Sequence, residues 1–485
     1  MAYKDLHAFA AALDKAGQLH RVEAEVDSYL EIAEITDRVS KRLGPALLFT
    51  RVKGSAFPVL TNAFGSYHRM ELALDTPRLD DLGKKIRRLI HSENYLTFLD
   101  KVKAVPRLAG LTAALPLPVS SGVWQEAEEV PDLTRLPALY CWPEDGGRFL
   151  TLPVVCLRDP ETGVHNYGVY RMQVYGRRTA GMHWHLHKDG RALAEKYKRL
   201  GGRMPVSVAI GCDPAVTYAA TAPLPPGIDE MLLAGFLRGR PVPLAKSTCS
   251  DIRVPANCEF LLEGYVDLEE TREEGPFGDH TGYYSEKAPY PVFHLKRLHR
   301  RDHPIYQATV VGRPPMEDCY LAKATERIFL PFLQLICPDI RDLDLPIEGV
   351  FHNCAVVSIR KRYPGQAAKV MHALWGLGQM MYQKMIVVVD EDVDPHNRSE
   401  VLWRVFNNID PGRDLQISPG PLDALDHASP TRHFGNRLGI DATRKLPEEG
   451  HPRPWPADLI RPPETRRMVR ERWAEYGFGS LKRQK

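Results

Sequence analysis

Hydrophobic and polar positions follow a helical period through much of the first hundred residues. In DLHAFAAALDKAG, Leu6, Phe9 and Leu13 fall on one helical face, and Gly17 ends the pattern. Three further helical patterns alternate with the apolar, β-rich runs PALLFTRV and PVLTNAFG; they are SYLEIAEITDRVSKR, YHRMELAL and DLGKKIRRLI. This alternation predicts a small N-terminal α/β unit over residues 1–105.

The pattern changes to strand-like runs over residues 106–315. Gly, Pro and Asp turns separate these runs, which are LPVVCL, YGVYRMQVYG, VSVAIGC, EFLLEGYVDL, PVFHLKRL and IYQATVVG. Two helical patterns, RALAEKYKRL and DEMLLAGFLRG, interrupt them. We therefore predict a central β-barrel or sandwich with helical insertions.

The alternation of helix and strand returns over residues 316–485. It begins with the long helical pattern YLAKATERIFLPFLQLI and continues through CAVVSIRKRY, AAKVMHALWGL, KMIVVVDEDVD and SEVLWRVFNNID. This order predicts a C-terminal α/β domain with a partly parallel sheet. A proline-rich stretch, GHPRPWPADLIRPPE, precedes a terminal helical pattern, RRMVRERWAEYGF, which we expect to dock on another subunit.

Composition narrows the class of protein. The 485 residues carry a net charge of +3, which argues against a nucleic-acid binder despite the short basic cluster HLKRLHRRDH. The eight cysteines are scattered without a CxxC pair, and no apolar run approaches the roughly 20 residues of a membrane span. We expect a cytoplasmic protein with reduced thiols. P-loop, zincin, α/β-hydrolase and strand-linked GxGxxG motifs are absent from the sequence.

Three histidines stand close together in GMHWHLHKDG, at His183, His185 and His187. If this segment is a β-strand, the three imidazoles share one face. The pattern alone allows a zinc site, one metal ligand with two neighbours, or an aromatic strand face.

Two further segments combine turn residues with polar groups that are costly to bury. HNYGVYRMQVYG carries Asn166 and Arg171 in an aromatic strand pattern, and a buried arginine needs an anionic partner. Strict alternation places these two residues on opposite faces, unless the strand bends near Gly168. The alternative is that Arg171 faces solvent.

Two carboxylates bracket a compact turn in EEGPFGDHTGYY, at Glu274 and Asp279. Two close carboxylates do not both ionise easily, so we expect one to hold a proton near neutral pH while an arginine keeps the other charged. A polar hairpin tip is the alternative. Glu230 begins an apolar helix, where it either complements the helix dipole or joins a histidine and an asparagine in a divalent-ion site.

As a set, these residues resemble the UbiD family of reversible aromatic and α,β-unsaturated acid decarboxylases. The resemblance is carried in order along nearly the whole chain by NYGVYRMQ, VPANCEFLLEGYVD, EGPFGDHTGYYSEKAPYPVFHL, YQATVVGRPPMED and VVVDEDVD. It implies an N-terminal α/β domain, a central split β-barrel flavin-binding domain and a C-terminal α/β oligomerisation domain with a terminal helix. It also implies a homodimer or a higher oligomer, with a hexamer possible.

The resemblance further implies a cofactor and its ligands. The family uses prenylated FMN, a flavin carrying a fourth ring that a flavin prenyltransferase supplies, together with a divalent ion (Mn²⁺, or Mg²⁺) and K⁺. The divalent-ion ligands fall here on Asn166, His187 and Glu230, and the K⁺ ligands on Glu230 and carbonyls around 220–222. His183 and His185 match no ligand position, so we expect them to pack or to contact solvent near the phosphate end.

In the family an arginine and two acids surround the reactive edge of the cofactor, and they fall here on Arg171, Glu274 and Asp279. We assign Glu274 as the proton donor, with Arg171 positioning the substrate acid and Asp279 holding the hydrogen-bond network. The remaining cofactor-lining positions implied by the resemblance are Thr151, Gly168, Val169, Tyr170, Pro223 and Lys384. Decarboxylation leaves an electron pair that no side chain stabilises well, which is why a cofactor is needed.

The substrate class follows from two features of the resemblance. Fungal cinnamate-type members carry glutamate where this chain has Asp279, and HASPTRHFGNRLGIDATRKLPEEG is similar to members assigned to menaquinone synthesis. We therefore expect an aromatic acid, either of the dihydroxynaphthoate type or a hydroxybenzoate. The alternatives are the polyprenyl-4-hydroxybenzoate decarboxylase of ubiquinone synthesis, a plain FMN oxidoreductase, and an inactive scaffold of the same fold.

Overall fold

The computed structural model describes residues 3–91, 114–184, 189–225 and 227–477, without the side chains of 89–91. The helices are α1 (Leu6–Lys15), α2 (Glu31–Lys41), α3 (Tyr67–Ala73), α4 (Leu79–His91), α5 (Asp189–Arg199), α6 (Pro214–Ala219), α7 (Glu230–Arg238), α8 (Glu317–Ile336), α9 (Gln366–Trp375), α10 (Arg398–Asn408), α11 (Pro411–Asp414) and α12 (Pro463–Glu471). Short 3-10 helices are Val123–Gln125, Leu133–Arg135, Ile347–Gly349, Gly378–Tyr382, Pro447–Glu449 and Trp473–Tyr476.

The strands form several separate sheets. They are β1 (Leu19–Val26), β2 (Ala46–Val52), β3 (Val59–Thr61), β4 (Leu117–Val119), β5 (Ala127–Glu129), β6 (Phe149–Leu150), β7 (Val154–Arg158), β8 (His165–Val169), β9 (Met172–Gln173), β10 (Thr179–Gly181), β11 (Arg203–Ile210), β12 (Pro243–Lys246), β13 (Arg253–Pro255), β14 (Phe260–Glu274), β15 (Phe277–Gly278), β16 (Tyr284–Ser285), β17 (Ala288–Arg300), β18 (Tyr306–Gln307), β19 (Ile340–Asp344), β20 (Cys354–Ile359), β21 (Met385–Asp390), β22 (Leu415–Pro421) and β23 (Phe434–Asp441). The mixed α/β class predicted from the sequence is confirmed.

The N-terminal sheet has the order β1-β2-β3-β18, so its last strand comes from residues 306–307. Strands β1 and β2 are parallel, as expected for two strands joined by the helix α2. Phe9, Phe64 and Ile328 share one buried cluster, which packs α8 against this unit. The start of the C-terminal region is therefore part of the N-terminal core.

The central sheet carries the candidate site at its end. Its order is β10-β17-β14-β11-β7-β8, with β5 added to β17. The long strands β14 and β17 pair antiparallel from Phe260 opposite Arg300 to Glu274 opposite Ala288, which carries Glu274 to the end of the ladder. Among the described residues, β10 and β8 are the two ends of this strand order and do not pair with each other, so the sheet does not close. The strand pairing therefore does not confirm the expected split barrel.

The single strand predicted for YGVYRMQVYG is broken at Tyr170 and Arg171. Strand β8 ends at Val169, and β9 begins at Met172. The ladder between β7 and β8 has a regular register through Gly168, so no bulge occurs there. Instead the Tyr170 ring covers Gly168, where an added Cβ would lie 2.4 Å from that ring. The bend predicted near Gly168 thus falls two to three residues later.

The C-terminal sheet has the order β19-β20-β21-β23-β22. Strands β20, β21 and β23 are parallel, whereas β19 and β22 pair antiparallel at its edges. The predicted partly parallel sheet is confirmed. None of the helices in the described ranges is long and apolar enough to cross a membrane.

Candidate active site

Arg171 lies at the centre of a buried cluster of charged side chains. Its Nε and Nη2 donate to Oε1 and Oε2 of Glu274 at 2.9 and 3.2 Å, and its Nη1 donates to Oδ2 of Asp279 at 2.5 Å. Nη2 also donates to Oγ of Ser285 at 3.0 Å, and the guanidinium carbon lies 4.5 Å from the centre of the Phe277 ring. The predicted association of Arg171 with the two acids is present, and the solvent-facing alternative is excluded.

A tight turn between β14 and β15 brings both acids to Arg171. Glu274 is the last residue of β14, and Gly275 follows with a φ of +96°, a conformation that favours glycine. The Gly275 amide donates to Oε1 of Gln173 at 2.8 Å, and the Gly278 amide donates to a carboxylate oxygen of Asp145 at 2.7 Å. These bonds fix the turn before Asp279.

Each acid also has a histidine neighbour. Nδ1 of His183 lies 2.9 Å from Oε2 of Glu274, and Nδ1 of His280 lies 2.8 Å from Oδ1 of Asp279. Nε2 of His280 then contacts Nε2 of His352 at 2.8 Å, which extends the network to the region before β20. Neither His280 nor His352 was predicted from the sequence as a site residue, although His280 directly follows Asp279.

His183 contacts one acid of the charged cluster. We expected it to pack or to contact solvent near the phosphate end; its ring is buried against Glu274 and is tilted against the Tyr290 ring at a centroid distance of 4.2 Å. Strand β10 also ends at Gly181, so His183 does not lie on a strand. Its partner is 91 residues away in the sequence, and a local pattern contains no sign of that contact.

The electrostatics of the two acids differ from the predicted proton sharing. Burial alone raises the pKa of Glu274, but the His183 hydrogen bond and the Arg171 charge lower it to about 2. Burial likewise opposes ionisation of Asp279, whose pKa is lowered by His280 and Arg171. Both carboxylates are therefore ionised near neutral pH, because Arg171 lies between them and each acid has its own histidine.

A second polar pair lies at the start of α7. Oε1 and Oε2 of Glu230 accept hydrogen bonds from Nδ2 of Asn166 and from the Tyr167 amide, both at 2.8 Å. Burial raises the pKa of Glu230 to about 8, and within the described ranges no lysine or arginine forms an ion pair with it. Oδ1 of Asn166 is buried without a hydrogen-bond partner. A carboxylate and an amide oxygen buried without a cation fit a hard divalent ion.

The predicted metal ligand His187, like His185, lies outside the described residues. Oγ1 of Thr151 accepts from the Thr309 amide at 3.0 Å, and the Val169 amide donates to the Ala220 carbonyl at 3.1 Å. The Tyr170 hydroxyl accepts from the Gly190 amide at 3.4 Å.

Pro223 and Lys384, two further residues predicted to line the cofactor, lie in separate segments of the chain. Pro223 is half-buried in the loop before α7. Nζ of Lys384 donates to Asp426 at 2.8 Å, and its amide donates to the His352 carbonyl at 3.3 Å. The Lys384 backbone therefore contacts His352, which the hydrogen bonds of His280 link to Asp279.

Another cluster, Glu326, Asp344 and His396, has ligand-type atoms within 4.8 Å of one another. However, Nζ of Lys323 lies 2.8 Å from Oε2 of Glu326 and also contacts Asp344. Because this ammonium already neutralises the acids, we assign the cluster to an ion-pair network between α8 and β19.

Comparisons with known proteins extend over nearly the whole chain. Three family models match this chain. They are the N-terminal domain of 3-octaprenyl-4-hydroxybenzoate carboxy-lyase at residues 10–89, the Rift-related domain of that family at 115–314 and the C-terminal domain at 319–442. An uncharacterized protein of Archaeoglobus fulgidus is 49% identical over 480 residues, covering 98% of this chain and 99% of the relative. A protein of Aquifex aeolicus, also uncharacterized, is 47% identical over 481 residues, with the same coverage.

Solved structures show the same similarity. The closed form of vanillic acid decarboxylase from Sedimentibacter hydroxybenzoicus superimposes with a TM-score of 0.85 at 28% identity, covering 99% of this chain and 100% of that one. The UbiD-class enzyme HmfF of Pelotomaculum thermopropionicum, in complex with FMN, gives 0.81 at 28% identity, covering 97% and 100%. An evolved dimeric HmfF in complex with prFMN gives 0.77 at 27% identity, covering 95% and 98%. The chain therefore belongs to the UbiD family of carboxy-lyases.

Proposed function

We propose that this enzyme catalyses the reversible, non-oxidative decarboxylation of an aromatic carboxylic acid with prenylated FMN. The observation that carries the proposal is the buried Arg171 that bridges Glu274 and Asp279. A buried ion pair contributes little net stability to a fold. A role in binding or catalysis therefore explains this buried cation and its two acids better than a structural role. A guanidinium pairs well with carboxylates, so the carboxylate of a substrate would compete with Glu274 and Asp279 for the donors of Arg171.

In this proposal the three residues have separate roles. Arg171 binds and orients the substrate carboxylate, and Asp279 keeps the guanidinium in place through its hydrogen bond to Nη1. Glu274 transfers a proton to the ring carbon that loses CO₂. This role requires that the substrate carboxylate competes for Arg171 and so raises the low pKa of Glu274 in the substrate complex. In the carboxylation direction the same carboxylate accepts that proton.

The cofactor and its ions are assigned from the resemblance and the fit of the residues. We propose that Asn166, Glu230 and His187 hold Mn²⁺ or Mg²⁺ against the flavin phosphate, with K⁺ beside Glu230 and the carbonyls of 220–222. The bound prenylated flavin supplies the electron sink that decarboxylation needs. The proposed lining residues are Thr151, Gly168, Val169, Tyr170, Pro223 and Lys384. A flavin prenyltransferase would supply the cofactor.

The substrate class is supported by the similar structures and by Asp279. The vanillic acid decarboxylase acts on a phenolic acid, as its name states, and its chain is matched over its whole length. We favour a dihydroxynaphthoate-type acid of a menaquinone route, or a hydroxybenzoate, with polyprenyl-4-hydroxybenzoate as the alternative.

The proposed domain division, 1–105, 106–315 and 316–485, assigns subunit contacts to the last part. Helix α10 carries Leu402, Trp403 and Phe406, with exposures of 51, 50 and 74%. Contiguous exposed apolar side chains favour a contact with a second subunit. Light scattering of the wild type and of Phe406→Glu tests this: loss of the oligomer in the variant supports it, and a monomeric wild type excludes it.

The function is tested by anaerobic production of the protein with and without a flavin prenyltransferase. The proposal predicts a modified flavin spectrum and CO₂ release only with the prenyltransferase, on a panel of hydroxybenzoic, naphthoic and heteroaromatic acids. CO₂ release with ordinary FMN, or none with any acid despite a bound modified flavin, would contradict it. Oxidation of a substrate by FMN-loaded protein would instead indicate a plain FMN oxidoreductase.

A further inference from the structure

The contact between His183 and Glu274 has the geometry of a proton-transfer pair. Their atoms Nδ1 and Oε2 are 2.9 Å apart, and the side chains are 7 and 0% exposed. His183 follows β10 and Glu274 ends β14, so two separate elements position them. The Tyr290 ring from β17 covers His183 and holds the imidazole in place.

The chemistry of the site requires a source of protons for Glu274. In the described part of the chain, the side chains that hydrogen-bond to Glu274 are Arg171 and His183. A guanidinium does not release a proton in proteins, whereas an imidazole titrates near neutral pH. We propose that His183 is a positioning residue that returns a proton to Glu274 after each decarboxylation, an inference that rests on the proposed function.

The bond between the ring carbon and the carboxylate breaks, CO₂ leaves, and the electron pair stays with the ring carbon. Glu274 transfers its proton to that carbon and becomes a carboxylate. The imidazolium of His183 then passes its Nδ1 proton to Oε2, and solvent protons restore the imidazolium. Carboxylation runs the same transfers in reverse.

Several titratable groups face this pair from the surrounding elements. They are Arg171 after β8, Tyr175 after β9, Arg272 on β14, Asp279 after β15 and Tyr290 on β17. Burial and Arg171 lower the pKa of His183, whereas Glu274 and Asp279 raise it. Because the pKa values of both partners are lowered, the free pair holds no proton near neutral pH, and a substrate carboxylate that pairs with Arg171 raises both pKa values. Decarboxylation needs the protonated pair, so its rate falls as the pH rises through the pKa that the pair has in the substrate complex. That pKa belongs to the pair and not to either residue.

Three variants separate proton return from simple positioning. His183→Asn retains an amide donor near the position of Nδ1 but does not relay a proton, and His183→Ala leaves space for added imidazole. His294→Asn is the matched control, since Nε2 of His294 lies 2.7 Å from Glu270 at a partly exposed position of β17. All are produced with the prenyltransferase and compared at equal flavin and metal content.

The proposal predicts that His183→Asn lowers kcat by about 100-fold with little change in KM, and slows H/D exchange into the product in parallel. Added imidazole should restore His183→Ala by about tenfold or more, and the high-pH limb of the rate profile should shift. His294→Asn should match the wild type. A rate for His183→Asn within about threefold of the wild type, with an unchanged pH profile, would overturn the proposal.

An NMR titration, which needs no turnover, tests the His183–Glu274 pair independently of the proposed decarboxylase function. In flavin-free protein with ¹⁵N-labelled histidine, the His183 resonance should titrate, and Glu274→Gln should shift that titration. If the wild type decarboxylates no acid but this shift occurs, the proposed function fails and the coupled pair stands. If turnover occurs but the His183 titration ignores Glu274→Gln, the relay is excluded.

Discussion

Nε and Nη2 of Arg171 donate hydrogen bonds to the two carboxylate oxygens of Glu274, at 2.9 and 3.2 Å. This two-point contact fixes the orientation of the carboxylate toward the rest of the site, which a single hydrogen bond does not. The third bond, from Nη1 to Asp279, makes the guanidinium the connection between both acids.

Arg171→Lys should abolish most activity while keeping the positive charge. A lysine ammonium lacks the planar fork that contacts Glu274 and Asp279 together, so the acids lose their alignment. We expect decarboxylation to fall by about 100-fold or more. The assay compares kcat at equal flavin content with Arg177→Lys, in which the exposed Arg177 pairs with Asp132, as the control. Equal rates for Arg171→Lys and the wild type would show that the fork is dispensable.

Glu230→Gln should weaken binding of the divalent ion and of the flavin. The substitution preserves shape and removes the buried negative charge that would face the metal. We expect metal affinity to fall at least about tenfold, with loss of bound flavin, measured by elemental analysis and absorbance after gel filtration. Asp229→Asn is the control, because the adjacent residue caps α7 and asparagine retains the cap. Unchanged metal content in Glu230→Gln would remove Glu230 from the ligand set.

The stability contributed by His396 should depend on pH. Burial lowers its pKa, but hydrogen bonds to Asp342 and Asp344 raise it overall from 6.5 to about 9. A histidine whose pKa is higher in the folded state stabilises fully below its unfolded pKa, and this contribution disappears as the pH rises through the folded pKa. His396→Gln should therefore unfold at lower denaturant than the wild type at pH 6, and the difference should close above about pH 9.

Denaturant titrations at several pH values measure this difference. His68→Gln, on the exposed side of α3, is the control and should show no such trend. A gap between His396→Gln and the wild type that widens with pH would contradict the ion-pair assignment of the network around Lys323.

The sequence predicted elements better than it predicted long-range contacts. The apolar periodicity located α1, α5, α7 and α8 and the parallel strands of the C-terminal sheet, because each pattern matches a face buried in its own element. Alternation also continued through Tyr170 and Arg171, where the structure ends β8. The chain breaks there to bury Arg171 against acids 103 and 108 residues away, and no local pattern contains that requirement.

In the candidate site, too, local features were predicted from the sequence and long-range contacts were not. The turn residues around Gly275 indicated that Glu274 and Asp279 would approach one cavity, and the buried arginine indicated an anionic partner. Their protonation could not be predicted, because it depends on His183 and His280, whose contacts arise only when β10, β14 and the turn after β15 come together. The alternating histidines at 183, 185 and 187 suggested that all three share one strand face. In the structure, His183 instead contacts Glu274.

The most direct measurement is H/D exchange into the aromatic product by Glu274→Gln loaded with prenylated FMN. Glutamine retains the size of Glu274 and one oxygen that accepts from Arg171, but it has no acidic proton to transfer. We predict an unchanged flavin spectrum and metal content, with product formation and exchange reduced by about 100-fold or more. Turnover and exchange at the wild-type rate would contradict the assignment of Glu274 as the proton donor.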